Sequence, residues 1–268
     1  MIAPTRIKKG LWWQRNWELL NGCSEISPAC LNCFAREYIK RFQSQQERWQ
    51  GLLSPDGKRW NGEVKICEDK LDDPLRESRP TVWFMTERGD FCHENVSMFF
   101  RLRALDVVRR AKDHTFVLLT KRPEILAQTL QIYYLSSKVA TLPNLYLGIT
   151  AENQEWLKKR MEDFIRIPGK KFISYEPALG ALSLMPYLFG SQKAGEPEQD
   201  DRIHSVIIGA ESGHNQRRME IEWAESAVAQ CNAAGVPIFV KQLHINGKLD
   251  KNLDEWPEHL RIRELLWG

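Results

Sequence analysis

Six short β-branched runs after residue 80 each end in a polar cluster, and amphipathic patterns lie between them. "TVWFMTERGD" predicts a strand at about 81–86, followed by Glu87, Arg88 and Asp90. "NVSMFFRLRALDVVRRAKD" predicts a helix. Its Met98, Leu102, Leu105 and Val108 fall at helical spacing, and Asn95 or Ser97 caps it. "TFVLLTKRPE" repeats the unit with Thr120, Lys121 and Arg122, and Pro123 opens the next helix. "NLYLGITAEN" precedes "QEWLKKRMEDFIRI", and "KKFISYEPALG" ends in Ser174 and Glu176. "HSVIIGAESG" ends in Glu211, Ser212 and Gly213, and "VPIFVKQL" ends in Lys241 and Gln242. A first strand is expected at about 17–21, "WELLN".

Strands alternating with amphipathic helices imply βαβ units and a parallel sheet. The expected fold class is therefore α/β. A doubly wound sheet usually carries a glycine-rich phosphate loop after its first strand, and neither G-x-G-x-x-G nor a P-loop occurs here. A complete or partial TIM-like (β/α) barrel fits better. It would gather all the polar strand ends on one face, where barrel enzymes place their active sites. The expected organisation is a single domain over residues 1–268. It carries an insertion at about 50–80, with a short strand at "EVKIC", and a mobile loop at about 191–202.

Hydrophobic residues make up 43% and charged residues 27% of the chain, a mixture that buries a full core. The apolar runs are too short to span a bilayer, and "MIAPTRIKKGLWW" lacks the apolar centre of a signal peptide. The expected location is cytoplasmic, with no membrane partner. The net charge of +3 says little about a nucleic-acid partner. Arg103 and Arg110 share a face of the basic helix, which Arg109 and Lys112 extend, and this reads as a solvated helix face.

"NGCSEISPACLNCFA" gathers Cys23, Cys30 and Cys33 beside turn residues, directly after the first expected strand. In a reducing compartment such clustering points to metal or catalysis rather than a disulfide. A structural zinc wants four ligands. The chain has one C-x2-C and no following pair of histidines, so a fourth would come from Cys67, Cys92 or His93. An iron–sulfur cluster also takes thiolates, and three of them on a [4Fe–4S] cube leave one iron open to a small molecule. Zinc and iron–sulfur both remain open at this point.

The set "GC…SPAC.NCFA", "FMTERGDFCHE", "LLTKRPE", "LGITAEN", "SYEPALG", "GAESG…R" and "VPIFVKQL" resembles the phage-encoded three-cysteine-motif proteins of unknown function. The match runs in order over about residues 11–245. That family is similar to radical S-adenosylmethionine (SAM) enzymes, including the spore photoproduct lyase branch. The resemblance implies that Cys23, Cys30 and Cys33 ligate a [4Fe–4S] cluster, and that SAM bound to the open iron is cleaved to a 5′-deoxyadenosyl radical. It also implies an external electron donor and, from the phage association, a nucleotide or nucleic-acid substrate, specifically a hypermodified, thymine-derived base of phage DNA made in the host cytoplasm.

Two departures stand out. The first cysteine gap is six residues rather than three, and Asn32 replaces the aromatic before the last cysteine, with Phe34 following it. By resemblance, Phe34 is expected near the adenine, Glu87 and Asp90 near the methionine amine, and Ser174 among the cofactor contacts. Among the other strand ends, Glu176, Glu211 and Lys241 are the catalytic candidates. Pro177 favours an extended Glu176. Lys121 and Arg122 are candidates for binding a substrate anion, Arg by a bidentate fork, and His214 and Arg217 for touching its phosphate. His93 reads as a polar loop residue. The alternative to catalysis is a zinc-stabilised nucleic-acid-binding protein.

Overall fold

The computed structural model describes residues 2–190, 201–213 and 215–267; residues 191–200 of the expected loop, and His214, lie outside them. Helix α1 (Pro4–Lys8) leads to β1 (Arg15–Trp17), β2 (Leu20–Asn21) and α2 (Phe34–Phe42). Strand β3 (Lys65–Ile66) pairs antiparallel with β2, and α3 (Asp73–Arg76) closes this stretch. Strands and helices then alternate as β4 (Val82–Met85), α4 (Met98–Arg110), β5 (Thr115–Thr120), α5 (Pro123–Ser137), β6 (Leu145–Thr150) and α6 (Gln154–Phe164). They continue as β7 (Lys170–Tyr175), α7 (Met185–Leu188), β8 (Ser205–Gly209), α8 (Ile221–Ala234) and β9 (Ile238–Ile245). Strand β10 (Lys248–Asp250) folds back antiparallel on β9.

Local chemistry sets the helix boundaries. Ser97 Oγ accepts the Phe100 N–H at 3.2 Å and starts α4. Asn153 does the same for α6 through the Trp156 N–H at 3.0 Å. Pro123 opens α5, and Gly235 ends α8 in the left-handed region at φ +63°.

The main sheet has eight strands in the order β1-β4-β5-β6-β7-β8-β9-β10, parallel except for the last. One face packs on the helices through residues such as Trp83, Phe116, Leu147, Ile173 and Ile208. The other face presents Phe84, Val117, Tyr146, Phe172, Ile207 and Phe239, one from each of β4 to β9, and they cluster with Trp12 and Trp267. Both faces are dry, which accounts for the nearly continuous apolar runs of the strands.

This sheet curls. β4 and β7 are three strands apart, about 14 Å on a flat sheet. Yet the Trp12 ring lies 5.0 Å from Phe84 and 6.0 Å from Phe172. The loop before β1 also reaches β9, because a Cβ on Gly10 would lie only 2.9 Å from the Lys241 carbonyl oxygen. The end strands are nevertheless not hydrogen-bonded neighbours, so ladder pairing does not close a barrel.

The expected strand at 17–21 is split. The Leu19 N–H turns back to the Trp17 carbonyl, and Leu20–Asn21 leaves the main sheet to pair with Lys65–Ile66 of the insertion, within the expected "EVKIC". The insertion carries its own small core, in which Trp49, Leu52 and Trp60 pack on Ile39 of α2. The basic helix face is partly neutralised: Arg103 pairs with Glu68 at 2.9 Å and Arg109 with Asp106 at 2.6 Å. Among the described residues, no helix is long and apolar enough to cross a membrane.

Gly148 makes room for the Phe172 ring, since a Cβ there would sit 2.1 Å from Cζ. Gly148→Ala is expected to destabilise the fold by about 1–3 kcal/mol through overpacking. A urea titration measures this, and adding Phe172→Leu should recover part of the loss.

Candidate functional site

On the face that carries Phe84, Phe172 and Phe239, each strand changes character toward its C-terminal end. Two residues on from the apolar layer come Thr86, Ser174, Gly209 and Lys241, four residues on come Lys121 and Thr150, and Glu176 and Glu211 follow just past the ends of β7 and β8. The same alternation that lines the core thus lines a chamber above it. The cavity has a volume of about 350 Å³. Cys23, Cys30 and Cys33 form part of its wall, and Cys67, Cys92 and Cys231 do not. Phe34, Glu87, Asp90, Ser174, Lys121, Arg122, Glu176, Glu211 and Lys241 also border it. Of the residues expected at the site and described in the structure, Arg217 alone stands outside this lining.

Three carboxylate–guanidinium pairs fasten the cysteine loop to the sheet. In the first, Asp90 accepts from Arg122 Nη1 at 3.0 Å, Thr120 Oγ1 at 2.6 Å and the Cys92 N–H at 2.9 Å. Arg122 reaches Glu94 at 2.9 Å, Ser24 Oγ at 2.6 Å and the Cys23 sulfur at 3.8 Å. In the second, Glu152 and Arg160 lie 2.5 Å apart and almost fully buried, and Glu152 accepts the Ala29 N–H at 3.4 Å. In the third, Glu211 accepts from the Arg217 N–H at 2.8 Å, its Nε at 3.0 Å and Asn32 Nδ2 at 2.9 Å. Arg217 Nη2 also donates to the Pro28 carbonyl at 2.9 Å. Gly22 and Gly89 add a parallel bridge at the loop's start, where a Cβ on Gly89 would lie 2.8 Å from the Gly22 carbonyl oxygen.

These contacts reassign several expected residues. Arg122 and Arg217, expected to bind substrate, have guanidinium groups engaged by the protein itself. Asp90 and Glu211 are likewise engaged, and their neighbours fix them as anchors. Burial pushes Glu211 up, but the hydrogen bonds from Arg217 and Asn32 outweigh it and hold the carboxyl below its usual range. His93 lies in the loop between β4 and α4, as expected, and is fully buried there. Its Nδ1 accepts the Asn95 N–H at 3.1 Å, so the proton sits on Nε2, which donates to Ser24 Oγ at 2.9 Å.

The remaining groups face the chamber. Glu176 and Lys241 pair at 2.6 Å. Burial raises the Glu87 pKa, with Arg88 and Lys241 opposing. The Lys121 ammonium makes no hydrogen bond or ion pair among the described residues. Burial lowers its pKa, but the nearby Cys30 and Cys33 outweigh this and leave it raised. Thr86 is a β-branched residue at φ +69°, and its buried hydroxyl has no partner among the described residues. Gln242 Oε1 is buried and unpartnered in the same way. Sequence reasoning passed over Glu152, although it follows a strand in "LGITAEN" as the other acids follow theirs, and its partner Arg160 is fixed only by the fold.

Among the described residues, no group of three or more His, Cys, Asp and Glu side chains is arranged to hold one metal ion. The three thiols are free, and all three cysteines line the cavity. Burial first, and then the charge of Asp90, raise the Cys23 pKa to about 12, so a metal would have to displace its proton.

Fold and site together define an α/β protein with a thiol-lined chamber at the C-terminal edge of a parallel sheet. The family described as "Protein of unknown function (DUF5131)" matches residues 6–254, and the chain belongs to that family. No curated protein and no solved structure matches the chain.

Two outcomes follow from the anchors. Arg160→Met leaves Glu152 buried and unpaired, and is expected to cost about 3–5 kcal/mol in chemical denaturation. Stability should also fall with pH in two stages. The folded state holds His93 and His244 below their ordinary 6.5, so stability declines as pH drops below that value. Glu94, Glu152 and Glu211 are held below 4.5, and their contribution is lost as pH falls from there through the folded values. A urea midpoint that stays flat from about pH 7 to pH 5.5 would contradict the first stage.

Proposed function

We propose that this protein is a radical SAM enzyme built on a partial (β/α) barrel. In this reading Cys23, Cys30 and Cys33 hold a [4Fe–4S] cluster, and the substrate is a nucleotide or a base of nucleic acid. The narrowest form of the proposal is a thymine-derived side chain in phage DNA, made in the host cytoplasm. The observation that carries the reading is the sharing of one strand-end cavity by these three thiols.

The donor set suits a cluster. Three free thiols line one cavity, and a cube takes its ligands at separate iron corners. When bound, the cluster supplies one electron, from an external donor, to split SAM into methionine and a 5′-deoxyadenosyl radical. The chain's own residues bind, orient and shield. Lys121 offsets negative charge at Cys30 and Cys33. Arg122 holds Ser24 beside Cys23 and so fixes the loop. Phe34 is half exposed and lies at the cavity wall as a cover, while Glu87 and Ser174 offer polar contacts. The Trp12 and Phe84 rings close the floor against water. The Glu176–Lys241 pair is the polar couple left facing the substrate.

Anaerobic reconstitution with iron and sulfide should give a brown protein with broad absorbance near ~400 nm. Incubation with SAM and dithionite should then release 5′-deoxyadenosine. Replacing all three cysteines by Ala should abolish both. A colourless protein carrying one tightly bound zinc would instead support a zinc-stabilised nucleic-acid-binding protein.

A further inference from the structure

Lys241 and Gln242 are neighbours on β9, yet both line the cavity. In a regular strand they would face opposite sides. The register slips at this point, with Ile208 opposite Val240 and Gly209 opposite Gln242, so Lys241 is the extra residue of a bulge. Bulges re-aim side chains beside functional sites. Gly209 leaves the space for this, since a Cβ there would lie 3.3 Å from the Glu176 carboxyl carbon and 3.4 Å from Gln242 Cγ.

Arg263 gathers three distant segments around the same point. Its guanidinium donates to the carbonyls of Ile7 at 2.8 Å, Lys8 at 2.6 Å, Val240 at 3.0 Å, Lys241 at 2.9 Å and Lys251 at 3.3 Å. As a result Lys9, Lys241 and Lys251 border one end of the cavity. Lys241 shares its charge with Glu176. Lys9 and Lys251 have no ion-pair partner among the described residues. The next carboxylate, Glu87, is held by Arg88 at 3.3 Å. Burial and then the charge of Lys241 lower the Lys251 pKa, with Glu176 opposing, so the two ammonium groups feel each other. Gln242 Nε2 donates to the Ala210 carbonyl at 2.6 Å, and its Oε1 is buried without a partner among the described residues. Trp13 stands at the same cavity with its ring 5.0 Å from Phe84.

The geometry points to a phosphate-bearing heterocycle at this end of the cavity, its phosphate on Lys9, Lys241 and Lys251 and its ring against Trp13. This deepens the proposed function by naming the groups that anchor the substrate. It rests on the cavity being the substrate chamber and not on the cluster. The phosphate belongs either to a free nucleotide or to a unit of a single strand.

Quenching of tryptophan fluorescence in the full chain tests this, with thymidine 5′-monophosphate, thymidine, inorganic phosphate and a short oligothymidylate as probes. The monophosphate should bind at least ~10-fold tighter than thymidine, and added salt should weaken it. Lys9 and Lys251 are exposed, so a Lys9→Gln/Lys251→Gln double variant should fold normally and cut the difference to under ~3-fold. Tighter binding of the oligothymidylate assigns the site to a strand, and tighter binding of the monophosphate assigns it to a free nucleotide. Equal binding of thymidine and its monophosphate, no binding of either, or an unchanged difference in the double variant overturns the inference. Nucleotide binding retained by a protein that never takes up iron would remove the radical reading alone.

Discussion

A loop with three thiols and no regular structure beyond a single 3-10 turn is held in place by buried charge pairs. Asp90–Arg122, Glu152–Arg160 and Glu211–Arg217 stand at the ends of different strands, and each reaches the loop at a different point: Ser24, Ala29, and Asn32 with Pro28. Buried ion pairs are favourable only when hydrogen bonds fill their remaining valences. Here the loop supplies several of those bonds. Loop and strand ends therefore support each other.

This dependence divides the acids by task. Glu211 is held below its usual pKa by burial-opposing hydrogen bonds, which makes it a weak proton acceptor near neutral pH. Asp90 is bonded on both oxygens and has little left to offer a ligand. Glu87 moves the other way, because burial raises it toward the range useful for proton transfer. Glu176 keeps one cation, Lys241, and faces open space. Strand-end acids that look alike in sequence thus differ in chemistry because their partners differ.

Much of the scaffold was legible because local rules and the global fold agree. The six later strands follow β-branched runs, Ser97 and Pro123 mark helix starts, and Gly235 marks an end. The chamber wall was legible too, since the strands end in polar residues on the side where their apolar runs stop. The split at Leu19 was not, because an apolar run does not show which strand it will pair with. Strand β10 had a signal that went unused: Asn246 and Gly247 both take positive φ, at 49° and 74°, as a tight hairpin requires. The anchoring roles of Arg122 and Arg217 were hidden for another reason. A guanidinium at a strand end reads the same whether it meets a substrate anion or a buried carboxylate, and only the tertiary fold decides which. The curl of the sheet depends on Trp12 and Trp267, more than 250 positions apart, which bond at 2.8 Å.

What remains unpaired is then informative. In the chamber wall Thr86 Oγ1 and Gln242 Oε1 are buried without a partner among the described residues, as are Nε and Nη2 of the anchor Arg160, and Lys121 faces two thiols with no hydrogen bond among the described residues. An unsatisfied buried polar group costs about 1–3 kcal/mol. Thr86 adds the strain of a left-handed backbone on a β-branched residue. A polar ligand seated in the chamber would meet the Lys121 ammonium. The apolar floor of Trp12 and Phe84 strengthens each such bond by keeping competing water out.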